Sequence, residues 1–89
     1  LASAAVGLAN ADVLVPVQDD AVYSLPDERG EPCSGTGVAP LGLACPQKGD
    51  VAISDCHSAL QTFDGTNCVA KVDAQCALTS HSTWRCVFP

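Results

Sequence analysis

Six cysteines occur within the last 57 residues of this 89-residue chain, and they constrain its fold more than any other feature. They are Cys33, Cys45, Cys56, Cys68, Cys76 and Cys86. A chain of this length forms at most one domain, and its small core barely offsets the entropy lost on ordering. Three disulfides at roughly 2–4 kcal/mol each shift that balance towards folding. We therefore predict a disulfide-stapled domain over residues 33–89.

The spacing of the cysteines argues against a metal site. Successive cysteines are separated by 11, 10, 11, 7 and 9 residues, whereas zinc sites usually contain a close pair such as C-x₂-C. We expect structural disulfides, no metal and no cofactor. Sequence alone does not decide which cysteines pair.

The first eleven residues indicate export. They read LASAAVGLANA, an uncharged and mostly apolar stretch that ends in Ala9-Asn10-Ala11. This A-x-A ending is typical of a signal-peptidase site, so residues 1–11 are interpreted as a signal-peptide remnant and the protein as secreted and extracellular. A short Ala-rich helix of the mature chain is the alternative.

Residues 12–32 form a separate acidic segment by composition. This segment contains six carboxylates and one arginine, which gives a net charge of −5, while residues 33–89 carry a net charge of only −1. Pro16, Pro26 and Pro32 exclude a long helix, and the valines favour extended structure. Three interpretations stay open: a disordered linker or pro-segment, an arm packed on the domain, or a strand exchanged with a second copy to form a homodimer.

The C-terminal residues alternate apolar and polar with a period of two, as a half-buried antiparallel sheet requires. The alternation predicts a three-stranded meander over residues 67–88. Three-residue loops at 73–75 and 80–82 keep the faces aligned and set Leu78 opposite Trp84 and Cys76 opposite Cys86. The inward-facing core is predicted to comprise Val72, Leu78, Trp84 and Phe88.

The predicted fold is therefore all-β, a small disulfide-rich antiparallel sheet or partly closed barrel of four or five short strands. Further strands are expected near residues 41–45 and 51–53, with turns at Gly49-Asp50 and Asp64-Gly65. An α+β alternative places one short helix at 54–63, capped by Ser54, with apolar residues on i, i+4, i+7 spacing.

Catalytic motifs are missing from the sequence. There is no G-x-S-x-G elbow, and His57 and His81 are the only histidines. His57 adjoins a cysteine, and His81 falls at a predicted hairpin tip. We expect no catalytic residue and no enzyme activity. The net charge of −6 with four scattered cations also disfavours nucleic acid and anionic membranes as partners, and no segment predicts membrane insertion.

Three stretches near the C-terminus carry a resemblance to a known family. The stretches GTNCVA, DAQC and TWRCVF, which begin at Gly65, Asp73 and Thr83, together form a C-V-A-x-x-D-A-x-C pattern followed by W-x-C-V-F. This pattern resembles small secreted cysteine-rich proteins of filamentous fungi, which look like effectors or elicitors released towards a plant. The resemblance implies a secreted protein that binds a host plant protein or receptor. A rival resemblance, through Ser54-Asp55-Cys56 and Ala59-Leu60, is to the fungal killer-toxin-like α+β proteins.

The expected function is thus binding rather than catalysis. The first alternative is a secreted toxin or antifungal protein, although many such proteins carry positive charge. The second is a protease inhibitor that presents residues 38–44 as a disulfide-held bait loop.

Overall fold

The structure, a computed structural model, describes residues 12–89, so the proposed signal-peptide remnant 1–11 lies outside the described residues. Within this range there are five short strands, two three-residue 3₁₀ turns (Asp27–Arg29 and Ser80–Ser82) and no α-helix. The strands are β1 (Asp12–Pro16), β2 (Val22–Pro26), β3 (Ala52–Ser54), β4 (Gln75–Leu78) and β5 (Trp84–Val87). The prediction of an all-β, disulfide-rich fold is confirmed. No helix in the described range has the length and apolar character needed to cross a bilayer.

The strands form two antiparallel sheets, one with the order β1-β2-β3 and one made of β4 and β5. The sheets meet where the Gln18 N–H donates to the Cys86 carbonyl at 2.9 Å. Between residues 12 and 89 no pairing of named strands links β3 to β4, so the partly closed barrel is not formed. Strands of three to five residues end before they can close such a ring.

The β1–β2 hairpin supplies the centre of the hydrophobic core. Val15 lies opposite Tyr23 and Val13 lies opposite Leu25, and Val15, Tyr23 and Leu25 are all buried. Residues 12–26 are therefore a packed part of the domain, and the composition boundary at residue 32 does not divide the structure. Pro16 and Pro26 stand at the ends of their strands, where a missing N–H interrupts few ladder bonds.

An ion pair ties the same segment to the remainder of the chain. Both terminal nitrogens of the Arg29 guanidinium donate to the Asp50 carboxylate, which also accepts the Gln47 N–H at 2.8 Å. The Arg29 hydrogen bond is the main cause of the lowered pKa of Asp50. Through this pair the 3₁₀ turn after β2 is joined to the turn that precedes β3.

The three disulfides are Cys33–Cys76, Cys45–Cys86 and Cys56–Cys68. The first two span 43 and 41 residues and connect the segment before β3 to the β4–β5 hairpin. Cys76 and Cys86 lie opposite each other and bond to different partners, one of the two outcomes that the alternation allowed.

The prediction of a C-terminal three-stranded meander is confirmed for one hairpin and wrong for the other. β4 and β5 pair in the expected register, with Leu78 opposite Trp84. Residues 68–70, however, lie beside β3: Val69 bridges Val51, and the Ala70 N–H donates to the Asp50 carbonyl at 2.9 Å. The predicted third strand therefore has another partner, because its period-two pattern fits either neighbour.

This change of partner overturns part of the predicted core. Val72 and Leu78 are 45% and 51% exposed, respectively, so their assignment to the core is wrong. Trp84 and Phe88 are half-buried and pack against the core cluster. The Phe88 ring meets that of Tyr23 edge-on, with centroids 6.1 Å apart.

Residues 54–63 form turns rather than the alternative helix. The Leu60 N–H donates to His57 and the Phe63 N–H donates to Leu60, both at 3.1 Å, so the bonds run from i to i+3. Asp55 adopts a φ of 59°, which is incompatible with a right-handed helix start. Likewise, residues 41–45 contribute only isolated bridges from Gly42 and Ala44, while the strand expected at 51–53 is present as β3.

We predict that Leu25→Ala lowers the free energy of unfolding by about 2–5 kcal/mol, because it empties a fully buried site. The matched control is Leu14→Ala in the paired strand, where the side chain is exposed and the expected loss is below about 0.5 kcal/mol. Urea unfolding with the disulfides intact measures both. Equal losses would contradict the placement of the hairpin in the core.

Candidate binding surface

A loop of eleven residues, 34–44, lies between two cysteines that are both anchored in the β4–β5 hairpin. Cys33 at its start bonds to Cys76, and Cys45 at its end bonds to Cys86. The loop contains no charged residue. We call this segment the 34–44 loop.

The neck of the loop is closed by backbone hydrogen bonds. The Cys33 N–H donates to the Ala44 carbonyl and the Ala44 N–H to the Glu31 carbonyl, both at 3.0 Å. Gly42 is needed here, because a Cβ at this position would lie 2.2 Å from the Glu31 carbonyl oxygen. The two ends of the loop are thus held together by main-chain contacts as well as by disulfides.

The tip of the loop rests on β5 and on the turn before it. The Trp84 N–H donates to the Gly35 carbonyl at 2.8 Å, and the Gly37 N–H donates to the Ser82 carbonyl at 3.2 Å. The Trp84 indole Nε1–H donates to the Gly37 carbonyl at 3.0 Å. Both backbone groups of Gly37 are therefore engaged, and the indole fastens the tip to the sheet.

Three aliphatic side chains of the loop project into solvent. Val38 is 100% exposed, Leu41 75% and Leu43 71%. Single exposed hydrophobic residues are common on proteins, but three within six residues of one loop make this loop the candidate interaction site. We call these three side chains the loop surface.

A shallow groove of about 330 Å³ adjoins the loop. It runs between β1 and β5, and Gly35 and Trp84 belong both to its lining and to the loop contacts. The remaining lining residues are Leu14, Val15, Pro16, Pro32, Cys33, Ser34, Thr83 and Arg85. The groove reaches from Gly35 of the loop to the exposed side chain of Leu14, and none of the three loop-surface side chains lines it.

A second cleft, of about 380 Å³, lies beside a cluster of polar side chains. Tyr23 donates to Asp20 at 2.9 Å, and the buried Thr62 hydroxyl donates to the same carboxylate at 3.0 Å. Burial is the main cause that raises the pKa of Tyr23 to about 12, so this hydroxyl stays neutral at physiological pH. The cluster joins the β1–β2 turn to residue 62 and has a structural role.

The other groups considered for chemistry are dispersed. His57 and His81 are both exposed, and the Ser34 hydroxyl donates to the Pro32 carbonyl at 3.1 Å. The sulfurs of Cys33, Cys45 and Cys86 lie within 4.8 Å of one another, but each belongs to a disulfide and is not the thiolate that binds zinc.

Comparisons with protein-family models, curated proteins and solved structures found no match.

The sequence singled out residues 38–44 as a candidate loop but did not predict the contacts that hold the loop in place. The 38–44 segment was chosen for its position between cysteines, and the structure exposes its aliphatic residues. The fastening role of Trp84 was not anticipated, because a period-two pattern assigns a face and does not identify a partner 47 residues away for the indole N–H.

We predict that Tyr23, the only tyrosine, ionises in the folded protein near pH 12 rather than near its ordinary 10.0. As the pH rises, Tyr23 ionises first in the unfolded chain. The contribution of Tyr23 to the free energy of unfolding is therefore complete below pH 10 and falls as the pH rises towards 12, by roughly 3 kcal/mol in total. Ultraviolet titration of tyrosinate measures this, with the reduced, urea-unfolded chain as reference. Asp20→Asn is expected to lower the pKa, because the Asp20 carboxylate raises it. Coincident folded and unfolded titrations would contradict the assignment.

We also predict that Cys45–Cys86 is the last disulfide to be reduced, because both of its residues are buried, whereas the other two bonds each include a half-buried cysteine. Partial reduction at acidic pH, followed by alkylation and peptide mapping, gives the order. In mildly alkaline buffer, rearranged disulfides are expected only among Cys33, Cys45, Cys76 and Cys86, because the sulfurs of these two disulfides lie close together. Early exposure of Cys86 would count against the structure.

Proposed function

We propose that this chain is a secreted, non-enzymatic effector or elicitor-type protein that binds a host plant protein through the loop surface. The supporting observation is the exposure of Val38, Leu41 and Leu43 on a loop held by two disulfides and by Trp84. The family resemblance of the cysteine-bearing C-terminal segments supports the fungal and plant context.

Rigidity makes such a loop a good binding element. Ordering a flexible loop on association costs free energy, and a loop that is already ordered avoids most of that cost. Each aliphatic side chain contributes up to about 1.5–3 kcal/mol when a partner removes it from water. Three such side chains on a loop that is already ordered therefore favour recognition by an apolar pocket.

The disulfides support an extracellular setting. Three cystines persist in oxidising compartments and are rare where glutathione keeps thiols reduced. The cross-links that span 41 and 43 residues also keep the chain covalently joined after a single backbone cut between Cys33 and Cys86. Both properties suit a protein that works among secreted proteases.

The charge distribution favours a protein partner over a polyanion. The molecule carries a net charge of −6, of which −5 lies in residues 12–32, while the loop surface itself is uncharged. A neutral apolar patch on an acidic molecule is repelled by nucleic acid and anionic lipid but is compatible with an apolar pocket. The same acidity weakens the toxin or antifungal alternative.

The test is infiltration of the purified, oxidised protein into plant leaves, with the oxidative burst measured against dose. Val38→Asp is expected to raise the effective dose by at least about tenfold, since it places a charge where apolar contact is needed. The control is Val72→Asp, the same substitution at an exposed valine outside the loop, and it should match the unmodified protein.

Equal potency of the two variants, or an unmodified protein that elicits no response, would contradict the proposal. A parallel growth assay on yeast and filamentous fungi tests the main alternative, a secreted toxin or antifungal protein. Growth inhibition at micromolar dose without a leaf response would favour the toxin.

A further inference from the structure

We infer that two copies of this chain form a symmetric dimer by pairing their β4 strands edge to edge. The inference goes beyond the proposed function, because it concerns a surface outside the 34–44 loop. Three features carry it: the unpaired outer edge of β4, the match between the hydrogen-bonding groups of two such edges, and a strand sequence without charge.

The outer edge of β4 presents backbone groups that have no backbone partner in the described part of the chain. β4 pairs with β5 alone, and just beyond it the Thr79 N–H donates to the Thr83 carbonyl at 2.8 Å. Because hydrogen-bonded pairs alternate along an antiparallel ladder, this bond and the register place Ala77 in a hydrogen-bonded pair with β5. The N–H and C=O groups of Cys76 and Leu78 therefore point away from β5.

The opposite strand shows the same alternation. The Trp84 N–H donates to the Gly35 carbonyl at 2.8 Å, and the Cys86 carbonyl accepts the Gln18 N–H at 2.9 Å. Both bonds point away from β4. The outer side of β5 is thus occupied by other parts of the chain, and β4 is the edge of this sheet.

The protection usual for an edge strand is missing from β4. Natural edges are commonly blunted by a charge or a proline, or are covered by another segment. β3 is covered by residues 68–70, and β1 contains both Asp12 and Pro16. The sequence of β4, QCAL, has neither a charge nor a proline, so its backbone groups remain available to another strand.

Two β4 edges match each other when they run antiparallel about a twofold axis at Ala77. Cys76 then lies opposite the partner's Leu78, and Leu78 lies opposite the partner's Cys76. Each pair exchanges two N–H···O=C bonds, so every outward N–H and C=O of these residues is satisfied. A register shifted by two residues forms one such pair instead of two. At the axis Ala77 lies beside the partner's Ala77, where only a methyl group has to be accommodated.

The side chains of this edge suit a second copy. Residues 74–80 contain no charged side chain, so two molecules of net charge −6 bring no like charges together there. The acidic residues are concentrated in residues 12–32, which carry −5 of that charge. Leu78 is 51% exposed, and the pairing places it against the partner strand.

The length of the free edge sets the strength of the dimer. The Ala74 N–H already donates to the Pro46 carbonyl at 2.9 Å, and the turn Ser80–Ser82 follows at the other end, so the pairing covers residues 75–79. Such a contact is smaller than the roughly 800 Å² per partner of a standard stable interface. We therefore expect a weak, reversible dimer.

The symmetry also places the two loops on one side. Cys76 and Leu78 share a face with Cys86 and Trp84, the face to which both disulfides and the indole fasten the 34–44 loop. A twofold axis between antiparallel neighbours is perpendicular to the sheet, so both copies turn this face the same way. For the proposed function this arrangement strengthens binding to a partner with two sites, although the dimer itself does not depend on that function.

Sedimentation equilibrium of the oxidised protein, from about 10 μM to about 2 mM, measures the association. We expect a Kd of about 100 μM and slower amide hydrogen exchange at Cys76 and Leu78 as the concentration rises. Leu78→Pro removes an edge donor but no bond to β5, so it should raise the Kd at least about tenfold. The control is Leu14→Pro, the same substitution at an exposed leucine of β1, and its Kd should stay within about threefold.

A pair of charge variants tests the register without a proline. Ala77→Glu and Ala77→Lys each place two like charges side by side at the axis, so each variant alone should raise the Kd at least about tenfold. An equimolar mixture should associate at least as well as the unmodified protein, because the glutamate of one copy then lies beside the lysine of the other. Recovery in the mixture also shows that both variants are folded.

Three results would overturn the inference. The first is a protein that stays monomeric at about 2 mM. The second is association that Leu78→Pro leaves intact and Val38→Asp abolishes, since this would locate the contact at the loop surface. The third is a mixture of the two Ala77 variants that associates no better than either variant alone.

Discussion

Two disulfides, Cys33–Cys76 and Cys45–Cys86, join the β4–β5 hairpin to the loop that precedes β3, and most of the architecture depends on them. They close chain segments of 43 and 41 residues, and in the chain-entropy description each stabilises the fold by about 4 kcal/mol. The clustered sulfurs occupy a position that larger proteins fill with aromatic and branched side chains. With only one tryptophan, one tyrosine and two phenylalanines, this chain has few of the large aromatic side chains that could replace them.

The same cross-links explain how aliphatic residues remain exposed on the loop. In a flexible loop of this composition, burial of the leucines and the valine against the core would be favourable. Here the disulfides, the neck bonds and the Trp84 indole hold the backbone in place, and the side chains of Val38 and Leu41 point outward. The constraint that stabilises the fold therefore also generates the surface available for binding.

Local patterns predicted local structure well. The β4–β5 register followed from alternation across a three-residue loop, and the structure has Leu78 opposite Trp84 as expected. The failures involve the choice of a distant partner. Residues 68–70 alternate correctly but pair beside β3, and this leaves Val72 exposed. Composition left three interpretations open for residues 12–32. In the structure residues 12–26 pack on the domain as the β1–β2 hairpin, with Val15, Tyr23 and Leu25 buried, because alternate positions of a strand point to opposite faces of the sheet.

By itself, then, the sequence determined that this chain is a disulfide-rich all-β domain, with an uncharged loop between Cys33 and Cys45 and a C-terminal hairpin in one register. Composition and neighbouring residues are sufficient for these features, because alternation and turn chemistry act over a few residues. Only the tertiary structure decided which cysteines pair, which aliphatic side chains meet solvent, and that Trp84 fastens the loop. Two of the three disulfides and the Trp84 contact require residues more than forty positions apart to come together, as Cys33 and Cys76 do with Cα atoms 5.6 Å apart. Such contacts are set by the packing of the whole chain rather than by any local preference.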